Sequence, residues 1–233
     1  TNIWTILFLQ KIKNTKTFLY EVNHLDELDN YNNLKEYIKK NIIKFFVKRL
    51  YYKADLIAGN SKELSVDLSK FIKIKVHTLY NPCFYGFRKK KAKNTLSKKI
   101  KILNIARLDF QKDHLTLLKA INLTKIKNKI QLILVGNGPY KNKIKKFSKL
   151  NKIDIKIYTN VTKLDSFYAN SDLYISTSLY EGLPTTMVEA ASYNLPIISS
   201  NFRSGSKEIL NNGKSGFIFD IKDYRYLSTL IEK

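Results

Sequence analysis

Two glutamates, Glu181 and Glu189, stand eight residues apart in the stretch SLYEGLPTTMVEAASYNLPII, on either side of a Gly-Leu-Pro break. Upstream, the chain carries Arg107 and Lys112 in ARLDFQKD and two glycines in VGNGP. Carboxylates accept hydrogen bonds from sugar hydroxyls, whereas guanidinium, ammonium and backbone amide groups bind phosphate oxygens. These residue types together predict a ligand that has both hydroxyl groups and phosphates.

A helix is predicted to begin at Pro184, because proline is favoured at the first helical position, where its missing amide hydrogen costs nothing. The amides of Gly182, Leu183, Thr185 and Thr186 are then expected to point outward at the positive end of the helix dipole. Unpaired amides at a helix N-terminus bind anions. The stretch therefore predicts a phosphate-binding cradle.

Cations and glycines are expected to complete this cradle. Arg107 and Lys112 follow one predicted strand and supply positive charge for a diphosphate. Gly136 and Gly138 follow the next predicted strand and allow a tight backbone turn beside the phosphates. The alternative for Arg107 and Lys112 is that they are ordinary surface cations.

The two glutamates differ in their predicted positions. Glu181 lies in the loop before the helix, and Glu189 lies more than one helical turn inside it. Two separated carboxylates around a pyrophosphate cradle fit a ligand built from a sugar, a diphosphate and a ribose, since an acidic residue binds ribose in dinucleotide folds. The alternative is a surface pair near a helix start, where acidic residues are favoured.

The second half of the chain alternates regularly between short apolar strands and helices. Strands are predicted at 100–106, 131–136, 153–158, 172–177 and 196–200. Helices are predicted at 113–124, 140–150, 163–170 and 184–193. Near-continuous apolar strands separated by helices indicate a parallel sheet buried on both faces. We therefore predict an α/β fold of the Rossmann-like, doubly wound type, in which ligands bind at the carboxyl ends of the strands.

The first 82 residues carry a related but less regular pattern. Strands are predicted at 1–10, 17–23, 54–60 and 76–81, and helices at 33–52 and from Ser61 onward. The helix at 33–52 has an apolar face at helical spacing, which we interpret as core-facing, with membrane contact as the alternative. That face consists of Leu34, Tyr37, Ile38, Ile42, Phe45, Phe46, Arg49 and Leu50.

Several of these stretches, in this order, resemble one known family. EGLPTTMVE resembles the signature of two glutamates separated by seven residues in retaining glycosyltransferases of family 4, which have the GT-B fold. ARLDFQKD and LILVGNGPY resemble the family's Gly-Arg-Leu…Gln-Lys-Gly stretch and its Gly-x-Gly-Pro turn, with Ala106 where the family usually has Gly. The resemblance covers roughly Ala54 to Phe219 and rests on ordered blocks, which are more specific than any single motif.

The resemblance implies a GT-B architecture with two Rossmann-like domains. The parallel-sheet nucleotide-binding domain would span 100–220, preceded at 1–82 by the C-terminal part of the acceptor-side domain. Residues 83–99 would form a hinge or linker, and 221–233 a truncated C-terminal helix.

The resemblance also implies roles for the charged residues. Arg107 and Lys112 would hold the donor pyrophosphate and stabilise the leaving nucleotide. Glu181 would bind the donor sugar hydroxyls and Glu189 the ribose, while the amides of residues 183–186 would assist the phosphates.

Five further residues are assigned from the resemblance or from their surroundings. Val161 matches a position that lines the base, and His24 resembles a histidine near the transferred sugar, with a structural histidine as the alternative. His77 and His114 are interpreted as structural because no partner stands at metal-ligand spacing. Cys83 is interpreted as a small hydrophobic residue in the hinge.

The implied activity is retaining transfer of a hexose or N-acetylhexosamine from a nucleotide-diphosphate sugar, most often a UDP-sugar. The acceptor would be a saccharide or a lipid-linked saccharide, as in the synthesis of cell-surface polysaccharides, and neither a cofactor nor a metal is expected. The family's first glycine-rich loop has no counterpart in this sequence. The alternatives are therefore a nucleotide-binding but catalytically incomplete fragment, or a GT-B epimerase or sugar phosphorylase.

The formal net charge is +23, from 42 Lys+Arg against 19 Asp+Glu. The densest basic cluster, Arg88 to Lys101, lacks interleaved aromatic residues for base stacking, so nucleic acid is the less favoured partner. The same charge favours peripheral contact with an anionic membrane. One cysteine and no signal-peptide or membrane-spanning pattern lead us to expect a cytoplasmic protein, and both ends read as cut from a longer chain.

Overall fold

The computed structural model contains two parallel β-sheets and describes residues 2–9, 12, 14–31, 33–88 and 99–233. Its contacts divide the chain into two compact units. Unit 1 comprises Thr1–Asn81, Tyr180–Leu183 and Arg203–Glu208, and unit 2 comprises Pro82–Leu179, Pro184–Phe202 and Ile209–Lys233. Most of the linker predicted at 83–99, namely 89–98, lies outside the described residues.

Unit 1 is built around a three-stranded parallel sheet in the order β1-β2-β3. Its elements are α1 (Asn2–Leu9), β1 (Phe18–Glu21), α2 (Leu34–Leu50), β2 (Leu56–Gly59), α3 (Lys62–Ile72) and β3 (His77–Thr78). The Ser61 side chain caps α3 by accepting from the amide of Leu64. The core joins side chains from every layer of the unit, including Ile6, Leu19, Val47, Ile57 and Leu68.

The strand predicted at 1–10 is wrong, because residues 2–9 form the helix α1. Ile6 is fully buried in the unit 1 core and Ile3 packs against that core, a spacing of three residues. Trp4 and Phe8 lie on the exposed side. A short apolar run is compatible with both helix and strand, so its periodicity does not distinguish them.

The core-facing side predicted for α2 is also wrong. Leu34, Tyr37, Ile38, Ile42, Phe45 and Phe46 are all exposed, and Val47 is the buried residue of the helix. The reason lies in a neighbouring loop, where the Lys40 ammonium donates to the carbonyls of Glu27, at 2.8 Å, and Asn30. These contacts hold the side of α2 that carries Lys40 and Val47 against the rest of unit 1, while Lys35, Lys39 and Lys48 stay exposed.

Unit 2 contains a six-stranded, fully parallel sheet in the order β6-β5-β4-β7-β8-β9. The strands are β4 (Ile100–Ile105), β5 (Ile130–Val135), β6 (Ile155–Tyr158), β7 (Leu173–Ser176), β8 (Ile197–Ser200) and β9 (Phe217–Phe219). The helices are α4 (His114–Leu123), α5 (Lys141–Leu150), α6 (Asp165–Ala169), α7 (Thr185–Ser192), α8 (Ser206–Ile209) and α9 (Tyr224–Glu232), of which α8 crosses the boundary between the units.

Both faces of the unit 2 sheet are covered, as the apolar strands predict. Ile102 of β4 belongs to a core shared with α4, α5 and α9, whereas its neighbour Leu103 belongs to a second core shared with α6 and α7. The predicted strands at 100–106, 131–136, 153–158, 172–177 and 196–200 are each confirmed to within two residues at either end. The three-residue edge strand β9 was not predicted.

Candidate functional site

The loop between β4 and α4 carries Arg107 and Lys112 and is held by the chain that follows β7. The Thr177 hydroxyl donates to the Lys112 carbonyl at 2.9 Å, and the Leu179 amide donates to the Gln111 carbonyl at 2.8 Å. The Arg107 side chain is 77% exposed, with its Nε 3.3 Å from a carboxylate oxygen of Asp109. The backbone of this loop is therefore fixed while the guanidinium extends into solvent.

A buried pair fixes the end of the same loop. His114, the first residue of α4, places its Nε2 3.0 Å from Asn104 Oδ1, and Asn104 Nδ2 donates to the Ile175 carbonyl at 2.8 Å. Burial, with a smaller effect from the Lys112 charge, lowers the pKa of His114 to about 4. The neutral imidazole therefore donates through Nε2. This agrees with the structural role expected for His114.

The turn after β5 presses against the loop after β4. Gly136 and Gly138 both have positive φ, and a Cβ on them would lie 2.0 Å from the Ala106 carbonyl oxygen and 2.4 Å from that of Leu108. The amide of Leu108 donates to the Asn137 carbonyl at 2.9 Å. No side chain fits at either position, so the two glycines allow the close approach of these loops.

The helix predicted to begin at Pro184 begins at Thr185. Pro184 is the N-cap, with an extended backbone at φ −71° and ψ 108°, and its carbonyl accepts from the Met187 amide at 3.1 Å. Thr185 and Thr186 occupy the first turn, where amides have no intrahelical partner. The Thr186 side chain is fixed from below, since the Tyr174 hydroxyl donates to its Oγ1 at 2.8 Å.

The sheet order brings these loops together. β5, β4 and β7 are adjacent and parallel, so their carboxyl ends share one edge of the unit 2 sheet. That edge carries Arg107, Lys112, Gly138, Thr185 and Thr186. Unit 2 by itself thus gathers two cations, a glycine turn and a helix N-terminus, the groups that bind phosphate.

Glu189 and Val161 also belong to unit 2. Glu189 lies in the middle of α7 and lines a cavity of about 230 Å³, and one of its carboxylate oxygens accepts from the Tyr168 hydroxyl at 2.6 Å. Val161 follows β6, which neighbours β5, and it packs against the core beneath α6 and α7. Both residues thus lie on elements adjacent to the phosphate-binding edge.

Glu181, Gly182 and Leu183 belong to unit 1 and are held there by backbone contacts. The Glu181 carbonyl accepts from the His24 amide at 3.0 Å, and the Leu183 amide donates to Asn60 Oδ1 at 3.1 Å. The expectation of a free amide at Leu183 is therefore wrong. A Cβ at Gly182 would lie 2.1 Å from the Val22 carbonyl oxygen, so only glycine fits at that position.

The His24 side chain is enclosed by acidic partners within unit 1. It is 2% exposed, with Nδ1 3.1 Å from Asp26 and Nε2 3.1 Å from Asp67. The amide of Asp26 also lies 3.2 Å from Nδ1. Burial lowers the pKa of His24, but hydrogen bonds and charge from Asp26 and Asp67 outweigh it and raise this pKa above its ordinary value.

Within the part of the chain that the structure describes, no cluster of three or more His, Cys, Asp or Glu side chains is arranged to hold a metal ion. No helix among the same residues has the length and apolar character needed to cross a membrane.

Sequence reasoning missed Asn104, Asn60 and Tyr168, each of which orients a predicted site segment. Asn104 left a signal, because a polar residue inside the apolar run IKILNIA requires a buried partner. Asn60 and Tyr168 left none, since their partners are distant along the chain.

Comparison with known structures supports the fold. TarM superposes with a TM-score of 0.75 at 18% identity, over 94% of this chain and 43% of TarM. HepE of Anabaena, whose structure contains UDP, superposes with a TM-score of 0.74 at 15% identity, over 99% of this chain and 65% of HepE. The α/β fold of GT-B type expected from the sequence is confirmed.

Sequence relatives extend the comparison. An uncharacterised glycosyltransferase of Methanocaldococcus jannaschii is 30% identical over 231 residues, which is 90% of this chain and 55% of the relative. A Campylobacter jejuni N-acetylgalactosamine-N,N'-diacetylbacillosaminyl-diphospho-undecaprenol 4-alpha-N-acetylgalactosaminyltransferase is 26% identical, over 84% of this chain and 57% of the relative. The chain thus spans about half the length of these relatives. Residues 86–233 match the family described as glycosyl transferases group 1, and the chain belongs to that family.

Proposed function

We propose that this chain binds a nucleotide-diphosphate sugar, specifically a UDP-sugar, and serves retaining transfer of a hexose or N-acetylhexosamine, as in family 4. The single observation that carries the proposal is the shared edge of the unit 2 sheet, where Arg107, Lys112, the Gly138 turn and the start of α7 meet. The name of the Campylobacter relative, with its diphospho-undecaprenol-linked acceptor, supports a lipid-linked saccharide as acceptor.

The proposed reaction exchanges one bond at the anomeric carbon for another. The acceptor hydroxyl oxygen bonds to that carbon while the bond from the carbon to the phosphate oxygen breaks, on the same face of the sugar. The leaving diphosphate takes the electron pair and the acceptor proton. Arg107 and Lys112 stabilise the charge that develops on it, which is the largest electrostatic task of the step.

The remaining roles concern hydroxyl groups and phosphate amides. Glu189 accepts a hydrogen bond from the ribose, Val161 lines the base, and Glu181 accepts from hydroxyls of the transferred sugar. The amides of Thr185 and Thr186 assist the phosphates at the α7 N-terminus. The proposal includes no cofactor and no metal. Arg107 and Lys112 neutralise the negative charge of the diphosphate.

Isothermal titration of the chain with UDP tests donor binding. We expect Arg107→Ala to raise the dissociation constant by about tenfold to a hundredfold, because a charge-assisted hydrogen bond to phosphate is lost. Lys149→Ala is the control, since Lys149 lies in the last turn of α5 and helices of a parallel sheet run back to the opposite edge. Failure of the wild-type chain to bind any nucleoside diphosphate would contradict the proposal.

A turnover assay separates the enzyme from the alternatives. Release of UDP that depends on a lipid-linked saccharide, with an unchanged anomeric configuration in the product, supports retaining transfer. UDP binding without turnover supports a catalytically incomplete fragment. Conversion of the UDP-sugar with no saccharide acceptor supports an epimerase, and conversion that requires inorganic phosphate supports a phosphorylase.

We further propose that unit 1 contacts the cytoplasmic face of an anionic membrane. The supporting observation is an exposed apolar surface on the contacting helices α1 and α2, with Trp4 and Phe8 on the first and Leu34 and Phe45 on the second. Exposed lysines accompany it on α2, and an amphipathic basic face of this kind binds anionic lipid. Co-sedimentation with phosphatidylglycerol vesicles measures this contact, and failure to sediment at low salt would contradict it.

A further inference from the structure

Three tyrosines form a layer beneath α7. Tyr168 comes from α6, Tyr174 from β7, and Tyr193 is the C-cap of α7. Tyr168 and Tyr174 are each 1% exposed. The ring of Tyr168 stacks on that of Tyr193 with centroids 5.4 Å apart and an interplanar angle of 18°. The ring of Tyr168 therefore packs against two other aromatic rings, since its centroid also lies 6.4 Å from that of Tyr174.

The hydroxyls of the two buried tyrosines, Tyr168 and Tyr174, form hydrogen bonds with side chains of α7. Tyr168 donates to Glu189 Oε2 at 2.6 Å and lies 3.4 Å from the Thr186 carbonyl oxygen. Tyr174 donates to Thr186 Oγ1 at 2.8 Å. Each hydroxyl thus fixes one polar side chain of α7, and the Tyr168 contact is charge-assisted and short.

The contact uses only part of what the Glu189 carboxylate can accept. An ionised carboxylate has two oxygens and about four acceptor positions. Tyr168 occupies Oε2, and no residue in the described part of the chain donates to Oε1. Glu189 also lines the cavity of about 230 Å³, together with Cys83 and Arg88. The second oxygen therefore belongs to a carboxylate that borders open space.

The Tyr168 hydroxyl is suited to act as a permanent donor. Burial, followed by the influence of Tyr174 and Glu189, raises the pKa of Tyr168 far above its ordinary value. The phenol consequently keeps its proton throughout the physiological pH range. Because a buried hydroxyl requires a partner, the Tyr168–Glu189 contact also restricts the carboxylate to one rotamer.

We propose that Tyr168 is a positioning residue for the nucleoside end of the donor: its hydroxyl holds Oε2 of Glu189 so that Oε1 accepts from the ribose. This inference rests on the proposed function, in which Glu189 binds the ribose. Tyr168 does not contact the ligand itself. Its effect is expected on ligands that carry a ribose and not on a bare diphosphate, and that difference separates positioning from a general structural role.

The test is isothermal titration of Tyr168→Phe with UDP and with inorganic pyrophosphate. We expect the dissociation constant for UDP to rise about tenfold, which corresponds to the loss of about 1.4 kcal/mol, while that for pyrophosphate stays within about twofold of wild type. Tyr193→Phe is the matched control. Tyr193 belongs to the same ring stack, and its hydroxyl donates to Asp165. The substitution removes that hydroxyl and leaves the hydrogen bond between Tyr168 and Glu189 in place. This variant is expected to bind both ligands as wild type does.

A second ligand and a second variant sharpen the test. A UDP analogue without ribose hydroxyls is expected to bind wild type and Tyr168→Phe equally, because the group that Glu189 recognises is absent. Replacement of Tyr168 by 4-aminophenylalanine keeps the ring and a donor, so UDP binding is expected to return to within about threefold of wild type. This variant decides the question if the phenylalanine variant is unstable.

Four results would overturn the inference. An unchanged UDP affinity in Tyr168→Phe would show that the hydroxyl does not position the carboxylate. Equal losses for UDP and pyrophosphate, or a folded aminophenylalanine variant that binds UDP as poorly as the phenylalanine variant, would show a structural role alone. A wild-type chain that binds neither ligand would overturn the proposed function and, with it, this inference.

Discussion

Asn60 illustrates how one side-chain amide fixes two backbone segments of unit 1. It is 2% exposed, its Nδ2 donates to the Val22 carbonyl at 3.2 Å, and its Oδ1 accepts from the Leu183 amide. The same amide lies against Gly182, where an added Cβ would approach its Oδ1 to 2.3 Å. The backbone that carries Glu181 is thus shaped by a residue that the motif does not contain.

We expect Asn60→Ala to lower the free energy of unfolding by about 2–4 kcal/mol, because the buried Leu183 amide and the partly buried Val22 carbonyl each lose their partner. Urea denaturation of the whole chain measures the change. Asn41→Ala is the control, since its side chain donates to the Tyr37 carbonyl at the exposed surface of α2. If Asn60→Ala and Asn41→Ala lost the same free energy of unfolding, burial of the Asn60 amide would not explain its contribution to stability.

The sequence alone suggests candidate site residues more readily than the residues that support them. Arg107, Lys112 and the glycines of the β5 turn could be proposed because phosphate binding requires those residue types at strand ends. Asn60 could not be found in this way, since Leu183 lies 123 residues further along the chain. The prediction of a free Leu183 amide failed for the same reason, because local spacing does not reveal a distant acceptor.

At the scale of elements, strands β4 to β8 of unit 2 were predictable, whereas in unit 1 α1 was predicted as a strand and α2 was predicted as a helix but with the wrong side buried. A strand buried on both faces is apolar throughout, so β4 to β8 are recognisable without knowledge of their partners. α1 and α2 carry more apolar residues than the core accepts. Polar contacts of Lys40 then decide which side of α2 turns inward.

The corrected orientation of α2 predicts opposite results for two variants. Val47→Ala is expected to lower the free energy of unfolding by about 2 kcal/mol, since Val47 is 5% exposed and packs in the unit 1 core. Phe45→Ser is expected to change it by less than about 0.5 kcal/mol because that ring is exposed. Phe45→Ser should instead weaken binding to phosphatidylglycerol vesicles. A large loss of stability in Phe45→Ser would instead support the sequence prediction that Phe45 lies on the core-facing side of α2.

At the scale of the whole molecule, two buried histidines respond to acid in opposite directions. The pKa of His24 is raised, so its contribution to stability is fully present below its unfolded value of 6.5 and is lost as the pH rises through the folded value. The pKa of Asp26 is lowered, chiefly by its hydrogen bond to His24, so its contribution is lost as the pH falls through its folded value. Unit 1 therefore keeps this ion cluster in weak acid.

The buried imidazole of His114 makes the stability of unit 2 sensitive to weak acid. Its pKa falls from 6.5 to about 4 on folding, so between these values the unfolded chain binds a proton that the folded chain does not, and stability decreases as the pH drops. At pH 5 this costs about 2 kcal/mol relative to pH 7. We expect His114→Gln, which keeps a donor for Asn104, to lose about 2 kcal/mol less than wild type between pH 7 and pH 5 in urea denaturation. His77→Gln, at an exposed position on β3, should follow the wild-type curve. An identical acid loss in all three proteins would mean that His114 is not buried as a neutral imidazole, and the loop that it holds in place would then need another support.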